Sequence, residues 1–115
     1  MKIKKADQDR LVHIKESAGY IEEFTKGISY EQYIKDYKLR LAVLKLLEII
    51  AEASSGITRE TSKNFSGSEG KILNHIRSIL MNDFSGIDYD IIWKSVKSQI
   101  PQLKSMISVV IDKQE

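Results

Sequence analysis

One proline, Pro101, stands in the whole 115-residue chain, and apolar residues recur through the rest at three- and four-residue steps. A backbone with so few breakers and a period near 3.6 predicts an all-helical protein. The first segment is expected to run from about Asp7, as N-cap, to Lys26, with Leu11, Ile14, Ala18, Ile21 and Thr25 forming one buried stripe. Gly27 supplies its stop. "SYEQ" then reads as a capping box, Ser29 accepting at the helix start and Gln32 reaching back, and opens a short helix with Tyr30, Tyr33 and Ile34.

The third segment, "YKLRLAVLKLLEIIAEASSG", is apolar almost all round, which predicts the central helix; Gly56 closes it. Lys45, Glu48 and Glu52 form its narrow polar stripe. "TSKNFSGSEG" reads as a Ser/Gly loop, with 62–70 its flexible part. A fourth helix is expected from Lys71 to Phe84, with Ile72, Ile76, Ile79 and Leu80 inward. After "SGID", Asp88 should cap a fifth helix carrying Ile91, Ile92, Trp93 and Val96. Pro101 marks either a kink or the first turn of a last helix, along which Leu103, Met106, Ile107 and Val110 continue the stripe. The expected fold is one domain over 1–115, a bundle of four to five helices.

Composition narrows the function. Apolar residues at 42% suffice for a core, and no run of about 18 apolar residues suggests a membrane span. The charged start "MKIKKADQDR" has no apolar region of the secretory type. Zero cysteines exclude disulfides and thiolate metal sites, which fits the cytoplasm. A net charge of +2, from 18 basic and 16 acidic residues, is too balanced to argue for nucleic-acid binding by itself.

The stretch "HIRSILMNDF", residues 75–84, places Arg77 on an apolar helix pattern and Asn82 five positions later. Glu48 and Glu52, four apart on one helix face, could pair as acid and base or hold a metal, but no histidine or third carboxylate sits at ligand spacing, and Lys45 lies on the same stripe. A wet seam or subunit-contact stripe explains them better. Trp93 and the tyrosines could stack bases, yet their spacing with Ile92 and Val96 reads as core. His13 reads as a half-exposed helix residue, and His75 as solvent-facing or capping.

Two blocks together resemble the HepT-like family of HEPN-domain proteins over residues 7 to 107. "RLAVLKLLEIIAEAS", preceded by "FTKGISYEQYIKD", resembles the family's core. "IRSILMNDFSGIDYDIIWKSVKSQIPQLK" resembles its second block, an R-N-x-x-x-H-x-Y motif followed by a turn, a D-x-x-x-x-W-like helix and P-x-L. The resemblance implies a HEPN-type helical bundle that dimerises, joining two arginine–histidine motifs into a metal-independent ribonuclease site without a cofactor. It also implies a toxin encoded beside a minimal nucleotidyltransferase, which neutralises it, in some cases by attaching AMP to the motif tyrosine.

Laid on this sequence, the motif arginine falls on Arg77, the asparagine on Ser78, the histidine on Asn82 and the tyrosine on Phe84; the family's G-E-A glutamate falls on Glu52. Only the arginine survives of the motif. Metal-free RNA cleavage needs a side chain that takes up and gives back a proton near neutrality, which imidazole does. The carboxamide of Asn82 hydrogen-bonds but carries no proton away, and Phe84 has no hydroxyl to receive AMP. Arg77 could still grip a phosphate. The expectation is therefore a homodimeric HepT-like subunit with weak or lost ribonuclease activity. The alternative is a non-catalytic module that binds the nucleotidyltransferase or RNA; a helical adaptor outside any toxin pair has little beyond the balanced charge in its favour.

Overall fold

The computed structural model describes residues 3–65, 67–81 and 86–113, and among them every regular element is helical. Four long helices make the bundle: α1 (Lys5–Thr25), α3 (Tyr37–Ser55), α5 (Ser68–Leu80) and α6 (Tyr89–Asp112). Two short ones, α2 (Tyr30–Lys35) and α4 (Arg59–Ser62), lie in the connections.

The stripe on α1 is buried as its spacing requires, Leu11, Ile14, Ala18 and Ile21 being inaccessible to water. On α6, Ile92, Val96, Ile100, Leu103, Ile107 and Val110 do the same at steps of three and four. Full burial of one such aliphatic side chain is worth about 1.5–3 kcal/mol, so these two stripes dominate the core. α1 packs against both α3 and α6. It runs antiparallel to α6, since Glu22 pairs with Lys104 at 2.9 Å while Thr25 sits nearer Lys97.

Local signals were accurate where both partners are neighbours in sequence. Ser29 and Gln32 form the reciprocal capping box, and Asp88 accepts the amides of Asp90 and Ile91. Gly27 takes a positive φ of 71°, open to glycine at little cost. Tyr33 is fully buried, its ring 4.6 Å from that of Trp93, with the Lys97 ammonium over the indole. Burial pushes the Tyr33 hydroxyl above the ordinary tyrosine range. These aromatics are packing, as their spacing implied.

Other expectations need correction. Asp7 is not the N-cap of α1: Lys4 holds that place, and Asp7 is buried in the first turn. Its carboxylate is needed elsewhere, accepting from the Thr58 hydroxyl at 2.6 Å, the Thr61 hydroxyl at 2.5 Å and Arg10 at 3.2 Å. The stretch expected to be loop is partly helical at both ends, because Thr58 caps α4 and α5 starts three residues before Lys71. α5 ends at Leu80, and the rest of the fourth helix expected, 82–84, lies outside the described residues. Pro101 breaks nothing; α6 is continuous through it. The proline is on the exposed side, where water can take the carbonyl it leaves unbonded. Finally, α3 is not wrapped on all sides, and Leu41 remains 51% exposed.

Candidate functional site

Arg77 belongs to the last turn of α5, a helix that buries Ile72, Leu73, Ile76 and Ile79. That stripe turns the Arg77 side chain toward the connection between α3 and α5. It is partly buried there, at the wall of a cavity of about 300 Å³ shared with Ser54, Ser62, Phe65, Leu73 and Asn74. Gly67 and Gly70 complete the lining. Thus part of segment 62–70 stands beside the arginine.

The Nε–H of Arg77 is shut away from solvent with no acceptor among the described residues. This N–H is one donor of a guanidinium, a group that donates and cannot accept. An unmade bond to a buried charged group costs more than the roughly 1–3 kcal/mol of a neutral one.

Ser78, next along the helix, is exposed. Asn82 and Phe84 lie outside the described residues. His75 is exposed but tethered: its Nδ1 lies 2.7 Å from Gln99 Oε1, which also accepts from the Ser95 hydroxyl at 2.8 Å. Two residues from Arg77, it occupies a face about 200° around the helix and turned toward α6. It does not join the arginine within one chain.

Glu48 and Glu52 are both exposed on α3. Glu52 lines a separate open cavity of about 570 Å³ together with Arg10 and His13. Counting along α3 alone missed this histidine, because α1 delivers it across the helix pair. No three of His, Cys, Asp or Glu gather closely enough for a metal ion among the described residues. Nor does any helix among them have the length and apolarity to cross a membrane.

Sequence reasoning singled out Arg77 but not its surroundings. Ser54, Phe65 and Asn74 carry no motif signal; only the fold brings them to the arginine.

The described residues form an all-α bundle with a partly buried arginine in the last turn of α5. The family model described as "Ribonuclease HepT-like" matches residues 14–110, and the chain belongs to that family. A Methanocaldococcus jannaschii protein named provisionally as an RNase is 39% identical over 100 residues, covering 87% of this chain and 92% of its own. A protein of Thermococcus cleftensis, named a probable ribonuclease HepT, is 35% identical over 102 residues, 89% of this chain and 93% of its own. One from Caldanaerobacter subterraneus, again provisionally an RNase by name, is 31% identical over 111 residues, 96% and 99% of the two chains. No solved structure matches significantly.

Proposed function

We propose that this HepT-like protein binds RNA through Arg77 and cleaves it weakly or not at all, as the toxin-type subunit of a pair with a minimal nucleotidyltransferase. The observation that carries the reading is Arg77 itself, partly buried on the wall of an open cavity and left without an acceptor at its Nε. A phosphate presents two oxygens, which a guanidinium can meet with a bidentate pair of N–H donors. Turnover asks for more. Asn82 stands where the family motif has its proton carrier, so binding outlasts catalysis.

The protein works as a homodimer in this reading, since one arginine per chain is half of the family's paired site. Light scattering at micromolar concentration is expected to give twice the 13.2 kDa chain mass; a monomer would count against the arrangement. With Phe84 at the tyrosine position, the nucleotidyltransferase restrains this subunit by binding it rather than by modifying that residue.

Arg77→Ala tests the central claim. Loss of a charge-assisted bidentate contact is expected to weaken RNA binding by about 1.5–3 kcal/mol, roughly 10- to 150-fold. The slope of log affinity against log salt should fall by about one per lost phosphate contact. Fluorescence anisotropy with a labelled single-stranded RNA measures both. Unchanged affinity and slope would remove Arg77 from the site.

A further inference from the structure

We propose that the cavity beside Arg77 receives a nucleobase, and that it favours bases carrying an amino group over uracil. The inference rests on the reading that Arg77 holds an RNA phosphate, and it adds what the neighbouring walls select.

The cavity of about 300 Å³ lies at the small end of ligand pockets, a size for one nucleotide unit rather than a peptide segment. Its walls are chemically uneven. Phe65 and Leu73 supply apolar surface, and an aromatic side chain on the wall suits the face of a base. The serines are committed donors: Ser54 gives its hydroxyl proton to the Ala51 carbonyl at 2.9 Å, and Ser62 gives its own to the Thr58 carbonyl at 3.2 Å. A hydroxyl used this way retains only acceptor lone pairs for anything entering the cavity.

The two acceptor hydroxyls welcome N–H groups. Adenine, cytosine and guanine carry exocyclic amines; uracil offers a single ring N–H. Asn74 adds a carboxamide that both donates and accepts, with no side-chain partner among the described residues. A bare anion would satisfy Arg77 but leave the serines, Asn74 and Phe65 unused.

Glycine keeps the room open. Gly70 is helical, and a Cβ built there meets nothing within 4 Å. A larger side chain is therefore tolerated by the fold and grows from the cavity wall.

The test is calorimetric titration of the full chain with AMP, UMP and inorganic phosphate. AMP is expected to bind more tightly than UMP, and both more tightly than phosphate. Phe65→Leu retains apolar bulk but loses the ring, and should weaken AMP roughly five- to 150-fold, the range of one base–aromatic stack, while leaving phosphate unaltered. Gly70→Leu should weaken AMP similarly without lowering the melting temperature, which keeps the test valid if the Phe65 variant misfolds. Ser54→Ala should reduce the preference for AMP over UMP. If AMP binds no better than phosphate, or if both cavity variants fold and bind AMP normally, the base pocket is refuted. Should Arg77→Ala still lose RNA in that case, the phosphate grip stands without it. RNA binding indifferent to Arg77→Ala would overturn both.

Discussion

Asn82→His is expected to raise RNA cleavage by about 10²–10⁴-fold, the usual contribution of a positioned general acid–base group. A carboxamide does not titrate in water near neutrality, whereas imidazole changes charge around pH 6.5 and can both accept the 2′-hydroxyl proton and return one to the leaving oxygen. The gained activity should follow that ionisation, rising with pH through the neutral range as the base form accumulates. It should also depend on Arg77: the Asn82→His, Arg77→Ala double variant is expected to return to the parent rate. A fluorogenic RNA substrate followed from pH 5 to 8 measures all of this. A variant that folds and dimerises but cleaves no faster would show that the motif has lost more than its proton carrier.

Asp7→Ala carries the largest expected effect on stability, about 2–4 kcal/mol, because it strips several hydrogen bonds from one buried carboxylate. Burial alone would raise the Asp7 carboxyl, but the hydroxyls of Thr58 and Thr61, the Thr58 amide and Arg10 together hold it below the ordinary aspartate value. Folding therefore favours the ionised form. The resulting stability is fully present above the unfolded-state value of about 3.9 and is lost as pH falls through the lower folded value. Urea denaturation at pH 7 should show the deficit, and a series from pH 6 to 2 should show a shallower acid loss in Asp7→Asn than in the parent. Equal midpoints at pH 7 would mean that the network contributes nothing. Ser62, at the end of the helix that Thr58 caps, lines the Arg77 cavity, so the same variant is expected to loosen RNA binding as well.

The contrast between Ser29 and Asp7 explains how far the sequence could be read. Both lie near a helix start with a capping-type side chain. Ser29 finds Gln32 three residues away, so its role is written locally. Arg10 is close by, but the threonine partners of Asp7 come 51 and 54 residues later, and no window of helical period contains them. The stripes on α1 and α6 were legible because burial follows periodicity, whereas the fusion of the last two helices depended on which side of α6 Pro101 would face. At the site, the resemblance pointed to Arg77. The cavity walls came from two separate stretches, one at residue 54 and one from 62 to 77, and the shared lining of His13 and Glu52 from two helices. Such adjacency is created by packing and leaves no trace in spacing.

The lone tryptophan sits where α2 meets α6, stacked on Tyr33 and beneath a lysine, and it is not part of the Arg77 cavity wall. Its fluorescence emission is thus a native optical gauge of whether that end of the bundle is docked. Ligand arriving at the opposite connection changes no group in contact with the indole, so a spectral change during titration would report long-range rearrangement rather than occupancy.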